Sequence, residues 1–295
     1  MRRRASLRGL LRGRPGQCGE QFERSDGGGQ QRVVCGNAWV CPACALKARK
    51  DDAERISSVI GAWQTRGGSV VMVTLTAGPH AGSDGLDALL GRLDGAWKRV
   101  VGSRRPWSAF ERTHRLGGLV RVLEVERGRS GWHPHFHVLL LVEGRPSGDA
   151  VAALVQDFRS RWCAALAAEG GAVLAGLESV AVQGHLLRRP ERGIPDYLAK
   201  GHADLLGRLA AEVEDGLVGA REEVKEFQRA TQRRKRLVVS QAAGYRGRVL
   251  SVFRRAWRAL GTRMKGPSLV RRVALLWPAL LPLWLAVGDS GLPSP

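Results

Sequence analysis

Tyrosine is almost missing from this 295-residue chain, which has two, Tyr197 and Tyr245. Chemistry that needs a phenol therefore has two candidates. Acids are also scarce, with 27 Asp and Glu against 47 Lys and Arg, a net charge of +20. That deficit points to a polyanionic partner, most simply nucleic acid. No apolar stretch follows Met1 to form a secretory signal peptide. The five cysteines, in a chain expected to stay in a reducing cytoplasm, argue against a disulfide framework. No apolar run reaches the roughly 20 residues of a membrane span. The nearest, Val273 to Val287, is 15 residues long and interrupted by Pro278 and Pro282. It reads as a packing or interfacial segment or as a tail with no stable structure of its own, and no stable membrane insertion is expected. Internal repeats are absent.

The charge is unevenly placed. Residues 1–50 hold 11 basic residues against 3 acids, 221–272 hold 16 against 3, and 51–220 hold 20 of each. A neutral centre between two basic ends suits chemistry in the middle and backbone grip at the flanks, with strong salt dependence. The expected organisation is a disordered basic arm over 1–33, a cysteine-rich zinc module over 34–50 and a catalytic domain over 51–220. A basic DNA-binding extension, 221–272, and an apolar tail, 273–295, complete it. In the extension, Arg233, Arg234, Lys235 and Arg236 are the expected phosphate contacts.

Helical and extended patterns alternate through the centre. Helices are expected at Asp51–Gln64, Leu86–Val101, Ala150–Ala168 and from Pro195 onward; strands at Ser69–Thr76, Leu119–Glu126 and Ser179–Val182. The histidine-rich run Gly131–Val142 forms a further strand, paired with Leu119–Glu126 as an antiparallel hairpin. The fold class is α+β, helices interleaved with an antiparallel sheet.

Three of the seven histidines fall within Gly131-Trp132-His133-Pro134-His135-Phe136-His137. His135 and His137 are two apart in a strand, so both imidazoles leave one face. Glu124 and Glu126 share parity on the preceding strand, although Glu126 falls toward a solvated turn beside Arg127 and Arg129. If the faces coincide, His135, His137 and Glu124 converge. Two nitrogens and an oxygen suit Mg²⁺ or Mn²⁺ acting on a phosphate oxygen. Tyr197 and Lys200 are three apart on a helix and share a face. Beside a metal-polarised phosphate the phenol is a candidate covalent nucleophile, and Lys200 a candidate to neutralise the phosphate or lower the phenol pKa.

Cys41-Pro42-Ala43-Cys44, with Cys35 and Cys18 upstream, has zinc-knuckle spacing. Four thiolates would close a tetrahedral structural site. The rival reading is a redox pair, but no thioredoxin-like βαβ pattern surrounds it. Cys163 falls on an apolar helix face and reads as core.

In order along the chain, Cys41-Pro-x-Cys44, Val73-Thr74-Leu75-Thr76, Gly131-Trp-His-Pro-His-Phe-His137 and Tyr197-x-x-Lys200 resemble the plasmid rolling-circle replication initiators of Gram-positive and actinobacterial type. These belong to the endonucleases named for a His-hydrophobe-His motif. The resemblance runs from about Val34 to Ser240, with Glu226-Phe227, Arg236 and Ser240 resembling the end of the family domain. It implies a ferredoxin-like sheet core that nicks one strand of a plasmid origin, single-stranded or in a hairpin at the nick, and hands over to host replication machinery. It implies His135, His137 and Glu124 as metal ligands and Tyr197 as the residue joined to the 5′ phosphate. Some members carry a water-activating glutamate one helical turn before the tyrosine; Gly193 stands there, with Glu191 nearby. A conjugative relaxase or single-strand transposase would share this chemistry. A zinc-containing DNA-binding regulator would need neither the histidine strand nor Tyr197.

Overall fold

Two short polar segments near the N-terminus pair with each other, Phe22–Arg24 (β1) and Gln30–Arg32 (β2), in an antiparallel ladder. They fall within the stretch expected to be a disordered arm, so that stretch contains local structure. The computed structural model describes residues 18, 22–24, 30–32, 35–77, 84–128, 131–171, 182–187, 193–200, 203–232 and 234–241. All lie in the unit Met1–Gly247. Tyr245, Arg233, Glu191 and the apolar segment 273–287 are outside the described residues.

The first long helix, α1, spans Pro42–Gln64. Its start lies inside the cysteine motif, with Cys41 at the N-cap and proline in the first turn, where the missing N–H has no intrahelical partner to lose. The boundary expected between residues 50 and 51 therefore falls inside one continuous helix. The β-branched run Ser69–Thr76 forms β3. Leu86–Gly102 (α2) and Arg104–Thr113 (α3) follow, the second of which the apolar pattern did not announce.

The expected hairpin is present and longer than its pattern: Leu116–Gly128 (β4) pairs with Gly131–Val142 (β5). Gly148–Ala168 (α4) begins at Ser147, whose hydroxyl accepts from Ala150 N at 3.2 Å, a normal N-cap. Val182–Leu186 (β6), Ile194–Lys200 (α5), Ala203–Glu214 (α6), Ala220–Thr231 (α7) and Leu237–Gln241 (β7) complete the described elements.

Five strands make one antiparallel sheet in the order β6-β3-β5-β4-β7. β7, which sequence patterning missed, covers the outer edge of β4. One face carries Val71, Val73 and Leu75 of β3, Leu119 and Leu123 of β4, and Phe136, Val138 and Leu140 of β5, in the main core with α2, α4 and α7. Each such side chain, taken wholly from water, contributes about 1.5–3 kcal/mol before entropy is counted.

The opposite face lies toward α1 and α5. Trp63 of α1 is buried, and its indole N–H donates to Ser69 O at 3.0 Å and Val142 O at 3.1 Å. A Cβ added at Gly117 would fall 2.2 Å from the Trp63 ring, so glycine is what lets the indole lie on β4.

Pro134, one residue before the first metal-ligand candidate, breaks no ladder bond. Leu123 N donates toward β7, to Arg236 O at 2.8 Å, so odd positions of β4 bond outward and Glu124 bonds His135 across the hairpin. Position 134 on β5 then faces the β3 side, where pairing stops at Thr76–His135. The donor that proline lacks would have had no partner.

Candidate functional site

Register alone brings the three expected ligands to one spot. Glu124 is the cross-strand partner of His135, and His137 follows on the same face of β5. Glu124 Oε2 lies 3.2 Å from His135 Nε2 and 3.0 Å from His137 Nε2, and the two nitrogens are 3.1 Å apart. All three residues are buried.

The outer ring nitrogens have their own partners. His135 Nδ1 lies 3.3 Å from His133 O. A carbonyl only accepts, so Nδ1 carries the proton and Nε2 turns a lone pair inward. His137 Nδ1 lies 3.0 Å from Thr74 Oγ1, a hydroxyl that can donate or accept and so holds the orientation of the second ring with Nε2 turned toward Glu124. Thr74 was legible only as part of the Val73–Thr76 string; its role comes from standing across the ladder from His137. Such outer partners set the tautomer of metal-binding histidines.

Three lone-pair donors facing one point repel unless a cation lies between them. Mutual spacings of 3.0–3.2 Å match neighbouring positions around an ion bound at about 2 Å. The residues therefore fit a divalent metal. Without a metal, protons play that part. Burial alone would raise the Glu124 pKa, but hydrogen bonds and charge from His135 and His137 outweigh it and hold it at about 2.

Tyr197 of α5 reaches this cluster. Its ring centroid is 5.5 Å from that of His137, and the residue is about half exposed, at 47%. Its backbone N donates to Gly193 O at 2.8 Å. Gly193 has φ +74°, a conformation costly for any residue with a Cβ, so a glutamate there would be strained. Burial raises the Tyr197 pKa, and the negative charges of Glu124 and Glu126 raise it further. Glu126 is exposed, as its turn-proximal position suggested, yet it is close enough for the phenol to feel its charge. Lys200 ends the same helix; its side chain is not among those described.

The four cysteines also come together. Cys18 Sγ is 3.6 Å and Cys35 Sγ 3.5 Å from Cys44 Sγ, and ligand atoms of Cys18, Cys35, Cys41 and Cys44 all lie within 4.8 Å of one another. None is in a disulfide. Backbone N–H groups of Cys35 and Asn37 point at the sulfurs of Cys18 and Cys35, each at 3.4 Å. Inward sulfurs with amide donors behind them fit a tetrahedral zinc site. Cys163 is partly buried against the main core.

The basic run before β7 is partly engaged inside the protein. Arg234 pairs with Asp87 and Asp94, and Arg236 with Asp52. Lys235 is exposed.

Residues 30–149 match the family described as "Replication protein". Over this stretch the chain is similar to that family. The match takes in Cys35, Cys41, Cys44, Glu124, His135 and His137 and ends before Tyr197. Among curated proteins the chain is similar to "Protein rep" of Streptomyces lividans, 34% identical over 145 residues, covering 40% of this chain and 31% of the relative. It is also similar to "Neomycin resistance protein" of Streptomyces cyanogenus, 35% identical over 139 residues, covering 39% of this chain and 32% of the relative. The matched region thus spans about a third of the length of each. No solved structure matches the chain. Among the described residues no helix is long and apolar enough to cross a membrane.

Proposed function

We propose that the protein initiates plasmid rolling-circle replication by nicking one strand of an origin through a covalent phosphotyrosine. The observation that carries this reading is the convergence of Glu124, His135 and His137 on one point, with Tyr197 against His137. The family match supports replication as the setting. The strand order, with helices following β3 and β5, supports a ferredoxin-like core.

Glu124, His135 and His137 would hold Mg²⁺ or Mn²⁺, which when bound draws electron density from a phosphate oxygen. His133 O and Thr74 Oγ1 hold the imidazoles in place. The Tyr197 oxygen attacks the scissile phosphorus; a P–O bond to tyrosine forms and the P–O3′ bond breaks. The departing 3′ oxygen takes up a proton, the phenol has lost one, and the free 3′ hydroxyl can prime synthesis. Bond energy is kept in the phosphotyrosine for rejoining. Tyr197, half exposed on a short helix, can meet a strand laid on the surface. Zinc held by Cys18, Cys35, Cys41 and Cys44 would brace the start of α1, and the protein would act in the cytoplasm.

The test is incubation of purified protein and Mn²⁺ with supercoiled plasmid carrying the cognate origin. A nicked product with protein attached to its 5′ end is expected. Absence of nicking over a range of origins and divalent ions would overturn the reading.

A further inference from the structure

A cavity of about 490 Å³ opens between the cysteine loop, the first half of α1 and the segment leading into β7. Its lining includes Arg55, Arg234, Lys235 and Arg236, with Asp52 as its one carboxylate. Asp52 pairs with Arg236, and the charge of Arg55 also acts on its carboxyl. Arg234 is held from outside the cavity by Asp87 and Asp94. Lys235 is exposed and makes no ion pair among the described residues. On the opposite rim Gly36 is exposed, with φ +70° and nothing within 4 Å of a Cβ built on it, so a ligand backbone can approach closely there.

Two contacts fix this groove relative to the candidate active site. The Trp39 indole N–H donates to Arg234 O at 2.8 Å, tying the cysteine loop to the β7 lead-in. Arg236 O accepts from Leu123 N at 2.8 Å, and Leu123 immediately precedes Glu124. The floor of the groove is thus bonded to the strand that carries the carboxylate ligand. A cleft with excess positive charge, open to solvent and hydrogen-bonded through Arg236 to the strand that carries Glu124, has the properties of a track for a polyanionic backbone.

We propose that this groove holds the phosphodiester backbone of single-stranded DNA next to the scissile phosphate, with Lys235 and Arg55 as its phosphate contacts. Arg236 and Arg234 shape the groove through their carboxylate partners. The inference rests on the reading of the protein as a DNA-nicking enzyme, but it concerns binding and is measured without cleavage.

The full chain, without added divalent ion, is titrated into a fluorescein-labelled oligothymidylate of about 12 nucleotides, and anisotropy is followed at several salt concentrations. For single strands the slope of log affinity against log salt changes by about 0.7 for each phosphate contact. Lys235→Ala and Arg55→Ala are each expected to weaken binding and flatten the slope by about that amount, and the double variant by about twice as much. Lys98→Ala, which removes an exposed cation of α2 outside the groove, should leave both unchanged. Lys235 is solvent-exposed, so its variant tests the groove even if Arg55→Ala folds poorly.

Wild-type affinity and slope in Lys235→Ala would overturn the inference, as would an equal loss in Lys98→Ala. Tighter binding of a duplex of the same length, with the same loss in Lys235→Ala, would overturn the single-strand assignment. A parallel nicking assay separates the two readings. Nicking with unaffected groove variants removes this inference alone; groove-dependent binding without any nicking removes the enzymatic reading alone.

Discussion

The Tyr197 ring lies 5.5 Å from the His137 ring, although 60 residues separate them in the chain. The phenol stands beside a buried His-His-Glu cluster, and the other tyrosine lies outside the described residues. Tyr197→Phe removes one oxygen from a half-exposed ring, so the fold and DNA affinity should stay within about 0.5 kcal/mol of wild type. The covalent adduct should disappear. Electrophoresis of protein bound to labelled DNA under denaturing conditions reads this directly, and an adduct surviving in Tyr197→Phe would move the nucleophile elsewhere.

The negative charges of Glu124 and Glu126 raise the Tyr197 pKa after burial has done so. Glu126→Gln should therefore shift the phenol titration of metal-free protein to lower pH. Ultraviolet absorption of the phenolate, in a Tyr245→Phe background, gives the value. No change, or a shift to higher pH, would show that Glu126 is not felt at the phenol.

Glu124 gives the metal-free protein a defined acid response. Its folded pKa is held at about 2, below the roughly 4.3 of an unfolded glutamate. A depressed carboxylate stabilises fully above the unfolded pKa and loses that contribution as pH falls through the folded one. The loss should run from about pH 4.3 down to about 2, with an upper bound on the order of 3 kcal/mol. Denaturant unfolding across that window should show a downward slope in wild type and a flatter one in Glu124→Gln.

At the cysteine cluster, burial pushes the Cys35 thiol far up and the Cys44 thiol to about 11. Both are protonated at neutral pH without metal. Zinc uptake must displace those protons, so affinity should rise with pH and binding should acidify a weakly buffered solution. About one zinc per chain is expected by elemental analysis, and Cys41→Ser should lose it. Zinc-free protein purified without chelators would count decisively against this site.

Gly117→Ala tests how α1 sits on the sheet. The new methyl would stand 2.2 Å from the Trp63 ring, and relief requires the indole to leave its bonds to Ser69 and Val142. A loss of about 1–3 kcal/mol is expected, visible as a lower melting temperature. Wild-type stability would mean that Trp63 repacks without cost.

Much of this site was legible because its information is local. His135 and His137 share a face by parity, Glu124 lies on the adjoining arm of a short-turned hairpin, and Tyr197 is one of two tyrosines. The start of α1 is hidden in the sequence because the spacing of Cys41 and Cys44 reads as a separate module, whereas Pro42 at the first turn opens the helix itself. The roles of Arg234 and Arg236 depend on Asp87, Asp94 and Asp52, carboxylates well over a hundred residues away in sequence. No periodicity reports such partners. Helix α3 and strand β7 escaped for a similar reason: Leu237–Gln241 is short, and only its pairing with β4 makes it a strand.

That pairing also has a consequence for synthesis on the ribosome. The strand bearing Glu124 is translated early, but its outer neighbour arrives only with residues 237–241. Until then β4 is a bare edge of apolar, β-rich sequence, the kind of surface that captures other chains. A chain ending between Thr231 and Leu237 would keep every metal-ligand candidate and Tyr197 yet leave that edge permanently unpaired. Its failure would be one of solubility before it was one of chemistry.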